Sequence, residues 1–320
     1  MGLQEDRIKA LRFEHPEYIP ISMGFLGKTW MTYREKLEDI VLRYPNVFPG
    51  YKKGQQNFDD VCGTYVAKNH IDAWGCVWSN VTTGMQAYVK GHPVPKREMI
   101  RTLKAPTVDE DLSHGFMYLR LTDLRGFEEA MMDFAEEPPE LQMLIDIVLE
   151  YNVKQLKRML KTRQAGEIMW FGDDLGMQHG LAMGAEKWRK YMKPCLAKLY
   201  GMVREKGIYV YMHTDGQIYE IISDLIDCGV QVVNAQFRAN GLDNLERVCK
   251  GKVCLDVDLD RQMFPFCKPK DIDAHVRECV ERLGSPEGGL WICAECAPDV
   301  PLENIEAIAA ALDKYRGYYN

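Results

Sequence analysis

The sequence predicts a (β/α)8 barrel, a single domain over residues 1–320 with an irregular N-terminal extension. In the second half of the chain, strand-like and helix-like patterns alternate five times, which is typical of a parallel sheet with right-handed crossovers. Each of these predicted strands ends in polar residues, and a barrel brings such strand ends together at one face. The chain contains no glycine-rich phosphate-binding fingerprint, so an open doubly wound sheet is the less favoured alternative.

The first half of the chain gives weaker patterns. It begins with a short amphipathic helix that Pro16 ends, and the apolar run Ile19–Phe25 then predicts a first strand. A helical and then loop-rich pattern covers residues 29–65, and residues 70–95 have the composition of strands and turns. Since the barrel needs eight strands and the second half gives five, three strands are expected in this region.

The second half is regular. Glu136–Glu140 combines acidic residues with prolines, which is a strong helix start, and the helix is predicted to run to about Thr162. Five strand–helix units follow it. The predicted strands begin at Ile168, Ile208, Val232, Val253 and Leu290, and their helices cover about 185–206, 217–228, 241–250, 270–283 and 302–315. This order predicts that the carboxyl ends of the five strands share one face.

Composition and charge exclude several classes of protein. The net charge is −7 and no basic run stands out, which argues against a nucleic-acid-binding surface. No apolar stretch approaches the roughly 20 residues that span a bilayer, and the polar N-terminus has no signal region. We therefore expect a cytoplasmic protein with no membrane or nucleic-acid partner, in which the ten cysteines are reduced thiols.

The stretch Ile208–Gly216 is a buried strand that stops on a histidine, an aspartate and a glycine. His213 and Asp215 are two residues apart, so on an extended backbone their side chains point the same way. That geometry suits two ligands of one metal ion, or an imidazole and the carboxylate that fixes its tautomer. The alternative is that the two side chains cap the following helix and bond to each other.

The last predicted strand ends in Cys293-Ala294-Glu295-Cys296, a lone pair of cysteines with C-x-x-C spacing. A structural zinc site needs a second such pair, and a redox pair would begin a helix early in the chain. In a barrel, this strand end and that of His213 face the same mouth. Three ligands from this set would leave a fourth position open, as catalytic zinc requires. The candidate ligands are His213, Asp215, Cys293, Glu295 and Cys296, and the alternative is two buried thiols beside a solvated glutamate.

Asp173 and Asp174 end the strand that begins at Ile168 and are candidate catalytic residues, together with His213. Paired carboxylates repel, so one of them can stay protonated in a dry pocket and serve as an acid or a base. A helix N-cap is the competing role for one of the two, and we assign that role to Asp174. The candidate substrate-binding residues are Trp30, Trp74, Trp170, Gln178 and Gln236, although aromatic residues in such segments are more often plain core.

These residues resemble the uroporphyrinogen decarboxylase superfamily. The resemblance is carried by Phe171–Gln178, by Trp188 and Lys193-Pro194, by His213–Gly216 with Ile218–Ile222, and by Pro298–Ile305. It covers most of residues 165–315 and is weaker in the first half. It implies a (β/α)8 barrel with one of two activities, decarboxylation or corrinoid-dependent methyl transfer.

The resemblance favours the methyltransferases. The decarboxylases of the haem pathway have an arginine-containing N-terminal motif that binds the carboxylates of their substrate, whereas this chain has Ile-Ser-Met-Gly-Phe after Pro20 and no arginine until Arg34. The thiol-methylating enzymes have His-x-Cys where this chain has His213-Thr214-Asp215, and a further cysteine near the last strand. Asp215 thus replaces the first cysteine, and the Cys293–Cys296 segment would supply the second.

A carboxylate in place of a thiolate makes a metal ion harder and favours an oxygen-bearing ligand over a thiol. The resemblance therefore implies a zinc-dependent methyltransferase that takes a methyl group from a small methyl ether, such as a methoxylated aromatic (O-demethylation), and passes it to a corrinoid. The chain has no Asp-x-His-x-x-Gly corrinoid-binding motif, so the corrinoid is expected on a partner protein.

Two other functions remain open at this point. A metal-independent decarboxylase or lyase of a small carboxylic acid would use Asp173, Asp174 and His213 for proton transfer. A barrel that only binds a ligand would use none of them catalytically. The oligomeric state is also open, with a homodimer as one alternative.

Overall fold

The structure is a computed structural model that describes residues 2–107 and 109–320. Its helices are α1 (Gly2–Arg12), α2 (Gly27–Tyr33), α3 (Glu35–Arg43), α4 (Tyr118–Arg125), α5 (Phe127–Glu136), α6 (Pro139–Met159), α7 (Gly184–Tyr191), α8 (Lys193–Glu205), α9 (Ile222–Asp227), α10 (Phe237–Asn240), α11 (Leu242–Cys249), α12 (Pro269–Leu283) and α13 (Leu302–Tyr315). Its strands are β1 (Ile21–Phe25), β2 (Asn69–Ile71), β3 (Val77–Ser79), β4 (Tyr88–Gly91), β5 (Ile168–Gly172), β6 (Tyr209–Thr214), β7 (Val230–Gln236), β8 (Cys254–Asp258) and β9 (Leu290–Cys296). Short 3-10 turns lie at Gly63–Tyr65 and Arg97–Thr102.

The chain falls into two compact units. The first unit comprises the chain up to Lys68, Asn80–Ala87 and Asn234–Asn320, and the second comprises Asn69–Ser79 and Tyr88–Val233. The strand order is β1-β9-β8-β7 in the first unit and β7-β6-β5 in the second, because the residues of β7 are divided between them. The expectation of a single domain stays a prediction.

In the first unit, β9 pairs in parallel with β1 and with β8. Ile292 lies opposite Ile21 on one side and Val257 on the other, so buried aliphatic side chains form a row across the three strands. All five residues of β8 are buried, as expected for a parallel strand that is covered on both faces.

In the second unit, β5 pairs in parallel with β6, with Ile168 opposite Tyr209 and Gly172 opposite His213. The helices α6 and α8 pack against each other, and each contains fully buried side chains, such as Val148 in α6 and Leu196 in α8. A proline in its first turn begins α6, which confirms the predicted helix start. The carboxyl ends of β5 and β6 therefore lie side by side on a packed layer of helices.

The five strands predicted in the second half are confirmed, and each begins within two residues of its predicted start. The first half departs from the expectation of three barrel strands. Among the residues that the structure describes, β1 joins the parallel sheet, whereas β2, β3 and β4 form a separate antiparallel sheet. Residues 72–76 and 80–87 connect these strands, and such connections are too short for the crossover of a dozen or more residues that parallel strands need.

Within residues 2–107 and 109–320, no helix has both the length and the apolar character that crossing a membrane requires.

Candidate functional site

The candidate site lies in the second unit, where β5 and β6 end side by side. Gly172, the last residue of β5, lies opposite His213 in β6. Asp174 follows β5 and Asp215 follows β6, and the backbone N–H of Asp215 donates a hydrogen bond to Asp174 Oδ1 over 3.0 Å. The structure therefore brings together three of the predicted residues, Asp174, His213 and Asp215, at the carboxyl ends of neighbouring strands.

Two glycines hold the loops after these strands against each other. Gly216 has a φ of +84°, and a Cβ atom there would lie 2.2 Å from the carbonyl carbon of Gly176. The Gly176 N–H donates a hydrogen bond to the Asp215 carbonyl over 3.1 Å, and the Leu175 N–H donates to Thr214 Oγ1 over 2.9 Å. Backbone thus packs directly on backbone, which fixes the two loops that carry the acidic residues.

A further histidine, His114, joins the site from a loop that precedes α4. Its Nε2 lies 3.1 Å from Asp174 Oδ1. A Cβ atom on Gly172 would lie 2.5 Å from His114 Cδ2, so the imidazole occupies the space that the glycine leaves. The Gly115 N–H donates a hydrogen bond to the Gly172 carbonyl over 2.8 Å, which ties the loop to the end of β5.

His114 is not among the site residues that the sequence predicted. The residue stands in the irregular part of the chain, where no strand pattern assigns it to the barrel mouth. The one available signal was the glycine at the end of the strand Ile168–Gly172, because a glycine in a strand often marks a close approach of another group.

Three donor atoms meet in this cluster. The ligand atoms of His114, Asp174 and His213 all lie within 4.8 Å of one another. His213 Nε2 is 3.7 Å from Asp174 Oδ1 and 3.6 Å from Asp215 Oδ1. Ligands around a tetrahedral zinc ion with bonds of about 2.1 Å stand about 3.4 Å apart, so this spacing suits one divalent ion.

The two hydrogen-bonded members of the cluster influence each other's pKa. The hydrogen bond to Asp174 raises the pKa of His114, although burial opposes the rise. Burial alone would raise the pKa of Asp174, but the His114 imidazole and the backbone N–H of Asp215 outweigh it, and the pKa of this carboxyl is lowered. Asp174 is therefore held as a carboxylate, the form that binds a metal ion.

Asp173 has a different environment from Asp174. It is fully buried, and its carboxylate accepts backbone N–H groups from Tyr118 over 2.5 Å and Leu119 over 2.9 Å, in the first turn of α4. Burial raises the pKa of Asp173 to about 7, against the effect of these two donors. The N-cap role predicted for Asp174 is wrong, because the helix after β5 begins at Gly184 with Met183 at its N-cap and Asp174 faces the cluster. Asp173 instead binds the first two N–H groups of α4 from a distant part of the chain. A catalytic role for Asp173 stays a prediction.

Trp170 lies on the same sheet face as the cluster. It is two residues before Gly172 in β5, and its partner in the register, Tyr211, is two residues before His213 in β6. The two aromatic rings lie 3.8 Å apart between centroids. The Trp170 side chain is 49% exposed, in a strand whose other four residues are buried.

The other two candidate tryptophans are enclosed by neighbours. In the first unit, Trp30 stacks with Tyr51 and with Phe58, at centroid distances of 6.2 Å and 5.9 Å and interplanar angles of 8° and 16°. In the second unit, Trp74 is buried with its ring edge-on to Tyr151. Both rings therefore lie in packed aromatic clusters, and their substrate-binding roles stay predictions.

The two candidate glutamines lie after their strands as expected. Gln178 is exposed in the loop after β5. Gln236 is the last residue of β7, is half-buried, and its carbonyl accepts a hydrogen bond from the Asn240 side chain over 2.9 Å. Their contacts with a substrate stay predictions.

The candidate ligands of the last strand lie in the first unit. Asn234 donates a hydrogen bond to Cys293 Sγ over 3.2 Å, and Arg261 pairs with Glu295 over 3.0 Å. Cys293 and Glu295 are two residues apart on one face of β9, whereas Cys296 points to the opposite face and is fully buried. Burial raises the pKa of both thiols. The metal-binding roles of these three residues stay predictions.

Comparisons with known proteins agree with this architecture. The family model of uroporphyrinogen decarboxylase (URO-D) matches residues 118–315. The chain is 28% identical over 137 residues to the methylcobamide:CoM methyltransferase MtaA of Methanosarcina barkeri, a match that covers 42% of this chain and 38% of that protein. The chain thus matches about two fifths of that relative's length.

A solved structure, a methyltransferase from Methanosarcina mazei, is similar over 98% of this chain and 99% of its own, with a TM-score of 0.65 and 19% sequence identity. This similarity confirms the barrel fold class that the sequence predicted. The family match covers more than half of the chain and includes β5 and β6, at whose ends Asp174 and His213 lie, whereas His114 precedes the matched residues. The chain therefore belongs to the uroporphyrinogen decarboxylase (URO-D) family.

Proposed function

We propose that the protein is a zinc-dependent methyltransferase that moves a methyl group from a small methyl ether to a corrinoid carried by a separate protein. The observation that carries this proposal is the meeting of the donor atoms of His114, Asp174 and His213 within 4.8 Å. Two similar proteins are named as methyltransferases, and the name of one includes a methylcobamide, which supports a corrinoid as the second reactant.

The donor set fits zinc in its chemistry. Two imidazole nitrogens and one carboxylate oxygen are common ligands of catalytic zinc, which keeps a further position for water or substrate. The side chains of His114, His213 and Asp174 are 48%, 30% and 29% exposed, so a small molecule can reach the cluster. Asp215 offers a further oxygen, and Cys293, Glu295 and Cys296 remain candidate ligands on sequence grounds.

When bound, zinc would supply Lewis-acid chemistry by withdrawing electron density from the ether oxygen. The chain's own residues prepare that position. His114 and His213 would bind the ion as neutral imidazoles, and the carboxylate of Asp174 would offset part of its charge. The loops joined at Gly176 and Gly216 fix the positions of Asp174 and Asp215, and the Gly115–Gly172 hydrogen bond fixes the loop of His114, so little reorganisation is needed when substrate binds.

The proposed reaction balances with a cobalt(I) corrinoid as methyl acceptor. The bond between the methyl carbon and the ether oxygen breaks, and the methyl carbon bonds to cobalt. Cobalt provides the electron pair of the new bond and is formally oxidised from +1 to +3. The oxygen keeps the electrons of the broken bond and takes up one proton, so the demethylated alcohol or phenol is released.

The proposal is tested first by the metal content of the purified protein. We expect about one zinc ion per chain in the wild type, since three donors and an open position define one site. His114→Ala and His213→Ala should each lower zinc affinity at least about tenfold, because each removes a donor from the cluster. Isothermal titration of zinc into metal-free protein measures both effects.

His179→Ala is the matched control, because His179 is an exposed histidine in the loop after β5 and is not part of the cluster. Its zinc content should equal that of the wild type. A protein that binds no zinc after purification without chelators, or one whose zinc is unaffected by both cluster substitutions, would exclude this metal site.

A second function is favoured by a specific contact, the hydrogen bond between His114 and Asp174. A histidine with a raised pKa on a carboxylate can transfer protons, as a decarboxylase or lyase of a small carboxylic acid requires. The two functions separate on treatment with a chelator. Loss of methyl transfer in the chelator, restored by added zinc, supports the methyltransferase. Turnover of a small carboxylic acid that continues at its full rate in the chelator supports proton transfer without metal.

A further inference from the structure

Trp170 occupies an unusual position for so large an apolar side chain. It lies in the middle of β5, where Ile168, Met169, Phe171 and Gly172 are all buried, yet its own side chain is 49% exposed. Phe171 packs against Tyr200 of α8, so the helices cover the face of β5 that is opposite to Trp170. Packing against the helices therefore does not account for the position of Trp170.

Trp170 is also held in place. The ring of Tyr211 lies beside it at 3.8 Å between centroids, and Tyr211 is only 6% exposed. The parallel register pairs the two residues across β5 and β6. An aromatic ring that is supported in this way presents a flat surface whose orientation costs little entropy on binding.

The surface formed by Trp170 and Tyr211, here called the aromatic platform, lies next to the cluster. Gly172 and His213 are two residues further along the same strands and therefore project on the same face. Two residues of a parallel strand span about 7 Å. A molecule in contact with both the platform and the cluster must extend over about this distance, which is close to the length of a substituted aromatic ring.

We propose that the aromatic platform binds the aromatic ring of the methyl donor, so that the donor class is a methoxylated arene rather than an aliphatic ether. The inference rests on the proposed function and deepens it. The ring packs against Trp170, and its methoxy oxygen points along the strands toward His114 and His213. Trp170 is then the residue that selects for ring size and aromaticity, since a donor as small as methanol reaches the cluster without touching it.

The test is the binding of 2-methoxyphenol to zinc-free protein, measured by titration calorimetry. Zinc-free protein is used because ring binding then does not depend on the metal or on methyl transfer. We expect Trp170→Ala to raise the dissociation constant at least about tenfold, because a large aromatic contact is lost. Trp170→Phe keeps an aromatic ring and should change it by less than about threefold.

Tyr88→Ala is the matched control, because Tyr88 is an exposed aromatic residue on β4 of the same unit. This variant should bind 2-methoxyphenol like the wild type. Thermal unfolding of each variant establishes that it is folded. If Trp170→Ala does not fold, Trp170→Leu replaces it, because leucine keeps an apolar side chain but removes the aromatic ring, and it should raise the dissociation constant to a similar extent.

Two further ligands test whether the platform prefers an aromatic ring to a saturated ring or a cation. Methoxycyclohexane has a ring of similar size without aromatic character, and tetramethylammonium is a cation that binds aromatic faces. The proposal is overturned if 2-methoxyphenol binds a folded Trp170→Ala variant as tightly as the wild type. It is equally overturned if the wild type binds either of these two ligands more tightly than 2-methoxyphenol.

The outcomes separate this inference from the proposed function. If the protein binds no zinc but binds 2-methoxyphenol in a way that depends on Trp170, the result supports the aromatic platform and contradicts the proposed methyltransferase function. If the protein binds zinc through His114 and His213 but does not bind 2-methoxyphenol, the result supports the metal site and contradicts the aromatic platform.

Discussion

At position 172 the chain has no side chain, and the imidazole of His114 fills the space. A Cβ atom there would stand 2.5 Å from His114 Cδ2, much closer than a carbon–carbon contact allows. The glycine therefore affects the cluster because its missing side chain leaves room for the His114 imidazole. Neither residue alone explains the position of the imidazole, because the Gly115 N–H must also reach the Gly172 carbonyl.

Gly172→Ala tests this relation. The added methyl group should displace His114 and lower zinc affinity at least about tenfold, with little change in the strand itself. Zinc titration measures the loss. Gly24→Ala is the control, since Gly24 is also a strand glycine but a Cβ atom there meets no atom within 4 Å. Equal zinc affinity in wild type and Gly172→Ala would show that the imidazole does not need this space.

At the scale of elements, the two loops after β5 and β6 are fixed to each other by direct backbone contact. The contact between Gly176 and Gly216 involves backbone atoms, so no side-chain movement relieves a substitution there. The cluster depends on this contact because Asp174 precedes one glycine and Asp215 precedes the other.

Gly216→Ala should lower the free energy of unfolding by about 3 kcal/mol or more, since it combines an unfavourable φ with a backbone clash. Gly166→Ala has a nearly equal φ of +86° and no atom within 4 Å of the added Cβ, and should cost only about 1 kcal/mol. Urea unfolding compares the two variants. Similar losses in both would mean that φ alone, and not the contact, sets the cost.

The helix α12 contains a buried titratable group. His275 is 7% exposed, and its Nε2 accepts the backbone N–H of Asp260 over 3.1 Å. Burial lowers its pKa from 6.5 to about 4, while the Asp260 carboxylate opposes the shift and Arg238 adds to it. The neutral imidazole is therefore the form that the folded chain accommodates.

This shift predicts how stability depends on pH. The unfolded chain takes up a proton at His275 near pH 6.5 and the folded chain only near pH 4, so stability is complete above pH 6.5 and falls as the pH drops. We expect a loss of about 2 kcal/mol between pH 7 and pH 5 from this group. His275→Gln removes the titrating group, so its loss over the same range should be smaller by that amount in urea unfolding.

At the scale of the whole molecule, sequence reasoning was accurate where the chain is periodic. The strands from β5 to β9 are short apolar runs with polar ends, and their parallel arrangement follows from the helices between them. The same regularity placed Asp174, His213 and Asp215 at strand ends, where β5 and β6 bring them together. The periodic pattern of apolar residues depends only on nearby sequence. It therefore identified the site residues whose positions follow from the strand in which they lie or which they follow.

The parts that sequence reasoning missed depend on contacts between distant segments. His114 reaches Asp174 across 60 residues of sequence from a loop without a pattern. The contact of Asp173 with the first N–H groups of α4 depends on where α4 begins, which the sequence of the strand does not encode. The antiparallel sheet β2-β3-β4 was missed because short turns, rather than the composition of the strands, decided the direction of pairing.

The three donors of the His114–Asp174–His213 cluster differ in how easily evolution can replace them, and Gly172 is what allows one of them to come from a loop. Two of the donors are encoded at strand ends, where a substitution disturbs the packing of the barrel, but the third is supplied by a loop. Loops accept substitutions and insertions more readily than strands. A descendant of this chain can therefore exchange an imidazole for a thiol, an amide or a carboxylate at position 114 while its scaffold is inherited intact. The loop makes the reactivity of the centre adjustable one residue at a time.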